Sequence, residues 1–341
     1  MSDISVRITG RAGRITLQRP KALNAVTYEM VRAIDAALDA WRDDPAVSLI
    51  VIDAEGDKAF SAGGDIADLY ATGTKGDFAF GQTFWRDEYR MNAKLAEYPK
   101  PVVSFLQGFT MGGGMGVGCH GSHRIVGESS QIAMPECGIG LVPDVGGSAI
   151  LARAPGHIGA YLGTTGARMG PADAILAGFA DTYIPQSHWP GLIETLERSG
   201  DPQGLAEAAA PAPAGQLSAR QSEIDLHFSA HDLPALIASL KGSDTPFAAE
   251  TLKALLRSSP LSAACTLVMM PRLRTATIRE ALALEYRFTF RAMEHGDFLE
   301  GIRAAIIDKD RNPHWRYGPD SLPPDAIDTM LAPLGQHELT F

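Results

Sequence analysis

The sequence predicts an α/β core followed by a helical C-terminal region, and three observations carry that expectation. Strand-like apolar runs recur and open directly into glycine-rich loops, as SLIVIDAEG does into AFSAGGDI and PVVSFLQG into TMGGGMGVG. A segment with apolar residues at helical spacing stands between strand-like runs, the order expected of an α/β core whose loops at strand ends carry the site. Composition then shifts near Gly200, beyond which the apolar spacing is helical.

Taken in order, ISVRIT and GRITLQR are short, β-rich and separated by a glycine-containing turn, which reads as a hairpin. In TYEMVRAIDAALDAWRDD, Met30, Ile34, Leu38 and Trp41 fall on one helical face, with Thr27 available as the N-cap and Glu29 in the first turn. SLIVIDAEG and PVVSFLQG read as buried strands. The Ala/Pro-rich AEAAAPAPAGQLSARQ reads as an exposed connection. LPALIASLK, AAETLKALLRS and TIREALALEYRFTFRAMEH are helix-like. The expected organisation is a core over residues 1–205 that carries the ligand site, and a helical region over 206–341 packed on the core or on a neighbouring subunit.

The bulk properties narrow the function. With 341 residues, 45% hydrophobic and 21% charged, the chain can bury a full core. Its net charge of −10 disfavours general binding to nucleic acid or to an anionic membrane surface. No window approaches the roughly 18 apolar residues of a transmembrane helix. The first residues carry no apolar signal region, so a cytoplasmic protein is expected. Cys119, Cys137 and Cys265 include no CxxC pair, so neither a disulfide framework nor a zinc site is expected. His120 and His123 lack a third ligand at metal spacing and read as core or supporting residues. No metal is expected.

Two glycine loops, SAGGD at 61–65 and MGGGMG at 111–116, each follow a strand. Glycine there lets backbone approach backbone closely, and exposed N–H groups from two separate loops are the usual means of holding an oxyanion. Taken alone, either loop reads as tight packing of a helix on a strand, and the two together with nearby acids shift the reading. GVGCHG at 116–121 fits GxGxxG, but the acid that follows lies in the turn-like MPECGIG and not at a strand end. A dinucleotide site is therefore not expected.

RPKALNAV, KAFSAGGDI, MGGGMG and MPECGIGLVPDVGG, in this order and spacing, resemble the crotonase (enoyl-CoA hydratase/isomerase) superfamily. FWRDEYRMN, HGSHR, ALEYRFTFRAM and EGIRAAIIDKDRNPHW narrow the resemblance to its 3-hydroxyisobutyryl-CoA hydrolases. The likeness spans the chain apart from 186–245. It implies a spiral of β-β-α units, an acyl-CoA thioester as ligand, and no cofactor beyond the CoA of the substrate. It also implies homo-oligomerisation through the C-terminal helices. The resemblance places the oxyanion hole at the amides of Gly64 and Gly113, with Ala22, Asn24, Asp65, Ile66, Gly112 and Glu88 as substrate-binding residues.

Hydratases of the superfamily usually carry two glutamates, and here the first of those positions is Gly116. The second is Glu136, followed eight residues later by Asp144. Thioester cleavage needs one carboxylate as nucleophile or general base and a stabilised oxyanion. Glu136 is assigned that role and Asp144 an orienting one. Each acid read alone is more often a favourable helix-start residue or a cap. Cys137 lacks an activating histidine nearby and reads as a buried thiol. Lys309 is a candidate for a CoA phosphate. The expected reaction is hydrolysis of a short branched β-hydroxyacyl-CoA such as 3-hydroxyisobutyryl-CoA. The alternatives are a hydratase or isomerase, and a non-catalytic binding protein of the same fold.

Overall fold

The computed structural model describes residues Ser2–Phe341 as two compact units, each drawn from three stretches of chain. The first comprises residues 2–64, Asp87–Ala133 and Arg168–Gly215, and the second Asp65–Arg86, Met134–Ala167 and Gln216–Phe341.

The first unit holds all nine strands among the described residues. β1 (Ile4–Thr9) and β2 (Ala12–Leu17) form the expected hairpin, Ile4 opposite Leu17 and Thr9 opposite Ala12. From β2 onward the large sheet is parallel, in the order β1-β2-β3-β5-β7-β9. Its further members are β3 (Leu49–Ala54), β5 (Val102–Leu106), β7 (His123–Val126) and β9 (Thr182–Tyr183). A second parallel sheet contains β4 (Ala59–Ser61), β6 (Phe109–Met111) and β8 (Gln131–Ala133).

The chain thus alternates between sheets three times: β3 then β4, β5 then β6, β7 then β8. A helix or helical turn follows each pair, at Ala67–Gly73, Gly113–Gly118 and Glu136–Ile139. This is the β-β-α spiral expected from the resemblance. A parallel sheet is covered on both faces and asks for continuous apolar runs, and the fully buried VVSFL of β5 supplies one.

The helix Tyr28–Trp41 begins where the spacing predicts. Thr27 accepts from the Met30 amide at 3.2 Å, and Met30, Ile34, Leu38 and Trp41 are all buried. A helix the spacing did not reveal, Trp189–Ser199, presents Trp189 and Leu196 to a cluster made by Leu49, Val51, Val103 and Phe105. The Trp189 ring lies 5.3 Å from that of Phe105, and its indole N–H donates to the Ile184 carbonyl at 2.9 Å.

The second unit is helical. Pro260–Leu273, capped by Ser259, packs against Gly147–Arg153 and Ile158–Thr165. Ile278–Ala292 starts with a reciprocal capping box between Thr277 and Glu280. The helix-like segments read in the sequence appear as Leu233–Lys241, Pro246–Leu255 and Ile278–Ala292. No helix is long and apolar enough to cross a membrane among the described residues.

Replacing Trp189 by alanine removes the largest side chain that closes this face of the parallel sheet. A loss of about 3–5 kcal/mol is expected, read as a lowered urea midpoint with an unchanged denaturant slope.

Candidate active site

The small parallel sheet explains why the glycine loops and the acid loop recur at strand ends. β4, β6 and β8 run in one direction, with Ser61 paired to Thr110 and Met111 to Ala133. Each strand then releases the chain into a candidate segment: β4 into SAGGD, β6 into GGG, and β8, three residues on in sequence, into Glu136.

In the first unit, the Gly64 loop is tied to the RPKALNAV turn. Ala62 donates to the Leu23 carbonyl and Val26 to the Gly63 carbonyl, each at 2.9 Å. Leu23 and Asn24 both take left-handed backbone conformations, at φ 51° and 55°. The buried Asn24 side chain accepts from the Arg19 amide at 2.8 Å and donates to the Glu55 and Ala59 carbonyls at 2.9 Å. Asn24 therefore locks the turn that carries the exposed Ala22 onto the end of β3 and the start of β4.

Gly112 caps the helix that Gly113 opens, so the Gly113 N–H has no acceptor within its own helix. A Cβ on Gly113 would lie 3.2 Å from the Gly64 amide nitrogen and 2.9 Å from the Glu88 Oε1 atom. A Cβ on Gly114 would come within 2.6 Å of the Ser61 carbonyl oxygen. The glycines are thus the condition for two loops and one carboxyl to meet at a single point. Glu88, 2% exposed, reaches it from the helix Ala79–Ala96. Asn92 lies one turn beyond Glu88 on that helix, fully buried, with neither amide atom hydrogen-bonded among the described residues.

The second unit brings together Glu136 and Asp144, 4% and 5% exposed. Glu136 Oε2 has no hydrogen-bond partner among the described residues. Burial, then the Asp144 carboxyl, and to a lesser degree the Glu285 carboxyl, hold Glu136 well above the usual carboxylate range. Asp144 is followed by two left-handed residues, Val145 at φ 50° and Gly146 at φ 82°, before the helix Gly147–Arg153 begins. The Asp144 carbonyl accepts from the Gly147 amide at 2.7 Å and closes that turn.

Glu285 was not singled out from sequence. Fully buried on Ile278–Ala292, it accepts from the Gly146 amide at 2.8 Å, from the Ser148 amide at 3.2 Å and from the Ser148 hydroxyl. Burial first, and then the Asp144 carboxyl, push Glu285 up to about 8 against these donors. The available signal was an acid on the stripe that also carries Leu282 and Phe288, where a solvated charge does not belong.

The remaining candidates take quieter places. Asp65 and Ile66 are half-buried at the start of the second unit, and Lys309 is exposed with φ 58°. Burial pushes the Cys137 thiol up to about 12, so little thiolate forms. Cys137 and Thr266 face each other at 3.4 Å. His123 Nδ1 lies 2.9 Å from the Ser122 hydroxyl.

The raised Glu136 sets a sign for stability. A carboxyl lifted in the folded chain above its ordinary 4.5 stabilises fully below that value, and the contribution is lost as pH rises through the folded value. The melting temperature of E136Q relative to wild type is therefore expected to climb as pH rises above the ordinary carboxylate range. A gap that stays flat or closes would show Glu136 to be an ordinary carboxylate.

The enoyl-CoA hydratase/isomerase family pattern matches residues 12–331. The crystal structure of an enoyl-CoA hydratase from Rhodobacter sphaeroides 2.4.1 superposes with a TM-score of 0.97 at 61% identity, covering all of both chains. A carnitinyl-CoA dehydratase from Mycobacterium thermoresistibile gives a TM-score of 0.95 at 37% identity, over 100% of this chain and 99% of the other. The mitochondrial 3-hydroxyisobutyryl-CoA hydrolase of Xenopus tropicalis is 38% identical over 344 residues, 97% of this chain and 89% of that protein. With its β-β-α spiral and its motifs in order, the chain belongs to the enoyl-CoA hydratase/isomerase family, the crotonases, whose members act on acyl-CoA substrates.

Proposed function

We propose that this protein hydrolyses the thioester of a short branched β-hydroxyacyl-CoA, with 3-hydroxyisobutyryl-CoA of valine breakdown as the first substrate to test. One observation carries the reading. A buried acid with a raised pKa, Glu136, has a second acid eight residues on at Asp144, whereas the buried Gly116 offers no side chain where hydratases of the family usually place a glutamate. Hydration of a double bond moves two protons and asks for an acid–base pair, while thioester hydrolysis runs with one proton shuttle and an oxyanion hole. The names of relatives divide between hydrolase and hydratase or dehydratase, and the missing acid favours the hydrolase.

In this mechanism the Gly64 and Gly113 amides receive the thioester oxygen. Glu136 takes a proton from water as the water oxygen bonds to the carbonyl carbon. The tetrahedral intermediate then collapses, the C–S bond breaks, and Glu136 returns the proton to the CoA thiolate. A carboxyl held above its ordinary range is, once deprotonated, the stronger proton acceptor, which suits the general-base role. Asp144 orients the water or the substrate hydroxyl, and Glu88, beside Gly113, contacts the acyl group. Asn24, Ala22, Asp65, Ile66 and Gly112 shape the loops around the ligand. The reaction needs no cofactor beyond the CoA of its substrate. A cytoplasmic location and assembly through the C-terminal helices belong to the same proposal, although the relatives named as hydrolases are described as mitochondrial.

Free thiol release from a panel of acyl-CoAs tests the reading. E136Q is expected to lose about 10²–10⁴-fold in kcat on 3-hydroxyisobutyryl-CoA. Gly113→Ala, which crowds the Gly64 amide, is expected to lose about 10²–10³-fold. A fully active E136Q, or faster water addition to crotonyl-CoA than thioester cleavage, overturns the proposal. Single turnover in ¹⁸O-water should leave the Glu136 carboxyl unlabelled, because label there means the carboxylate attacked.

A further inference from the structure

We propose that Glu285 is a positioning residue for this chemistry, holding the Asp144 turn through the backbone of Gly146 and Ser148 and setting the alkaline side of the rate profile. The inference rests on the thioester-hydrolase reading for its kinetic consequence, and on geometry for the rest.

Asp144 does not sit on a regular element. Its direction is fixed by a turn whose next residue, Val145, is β-branched yet left-handed, a conformation such residues avoid. A backbone of that kind costs about 1–3 kcal/mol and persists only where its surroundings over-determine it. One of the groups that hold it is a carboxyl from a helix about 140 residues away. Glu285 takes the amides on either side of Gly147 and the Ser148 hydroxyl, while Gly147 itself closes back on the Asp144 carbonyl. Both carboxyl oxygens of Glu285 are used, Oε2 by Gly146 and Oε1 by Ser148. Removing that acceptor frees the turn and with it the orientation of Asp144.

A serine or asparagine could cap these amides without a buried charge. The retained group is ionisable and faces other acids. Asp144 is the charged side chain with the largest effect on it, and Glu285 in turn bears on Glu136. Elsewhere around its helix, Arg153 on the capped helix donates to the Ala276 carbonyl, Asp328 lies on the adjoining Ala326–Leu331, and Tyr286 donates to the Gln82 carbonyl. When Glu285 ionises, a second negative charge appears beside Asp144. That charge opposes the negative charge developing on the substrate, and the rate falls. With Glu285 pushed up to about 8, this fall belongs on the alkaline side of neutrality.

The experiment compares wild type, E285Q and S148A in two readouts. In kcat/KM against pH, wild type should show a descending limb near about pH 8 that E285Q lacks. The Ser148 hydroxyl lowers the Glu285 pKa, so S148A should keep the limb but move it upward. In E285Q, kcat should fall by up to about 10²-fold with KM nearly unchanged. In parallel, ¹³C-NMR follows the carboxyl titration that distinguishes wild type from E285Q, without any turnover. That signal should titrate near about pH 8 and rise in S148A. A Glu285 signal in the ordinary carboxylate range, or one that S148A leaves in place, overturns the inference. So does an active enzyme in which E285Q loses kcat without changing its pH profile. If no thioester is cleaved while the NMR titration behaves as stated, the hydrolase reading fails and the role of Glu285 in holding the turn stands. If E285Q does not fold, S148A alone still decides through the direction of its shift.

Discussion

A missing carbon atom sets the geometry of the first unit. Were position 113 to carry a Cβ, that atom would press on the Gly64 amide and the Glu88 carboxyl, so these two groups can share a neighbourhood only because residue 113 is glycine. The same holds one residue on, where Gly114 lets its helix lie against the Ser61 backbone at the end of β4. Close backbone approach from two separate loops is what a pair of N–H donors requires, and the parallel small sheet delivers both loops from neighbouring strand ends. The conformational freedom glycine surrenders on folding is the cost of the arrangement.

In the second unit the governing term is desolvation. Glu136, Asp144 and Glu285 are buried acids, and what raises Glu136 and Glu285 is burial first and then a neighbouring carboxyl. In such a setting an acid resists ionisation, and each charge that forms raises the barrier to the next. Donors aimed at one carboxyl rank the group. Glu285 accepts three hydrogen bonds, while Glu136 keeps an oxygen without a hydrogen-bond partner among the described residues. An acid poised to take and return a proton should look like the latter.

Much of this was legible from residues alone, and the parts that were not have physical reasons. The hairpin, the helix capped by Thr27 and the long buried strands are encoded by runs of five residues or more, where periodicity speaks. AFS, FTM and QIA are three-residue strands, too short for any period, and AFS reads as part of a loop. The β-β-α repeat is accordingly a repeat of structure with no repeat of sequence. Glu88 was legible only by resemblance, because a carboxyl in a charged helical stretch usually faces water. Glu285 was hidden differently, since within a helix-like run its neighbours announce a core and draw attention from the one residue that does not fit it. The Leu217–Phe228 helix, nearly without an apolar stripe, begins inside a stretch whose Ala/Pro composition reads as linker.

Position 116 is where the fold and the chemistry separate. It falls one helical turn beyond Gly113, so a side chain there would stand on the same face as the candidate oxyanion amide. An acid in that place could protonate a carbon next to a carbonyl already held by the two loops, which hydration of an enoyl thioester requires. Glycine supplies nothing to do so, and no other residue of that six-residue helix carries an acid. On the proposed reading, what the chain retains is a pair of amides for the carbonyl oxygen and Glu136 to shuttle a proton. A saturated thioester attacked by water needs those two and no more. The same scaffold can therefore carry either reaction, with one side chain on a six-residue helix dividing them.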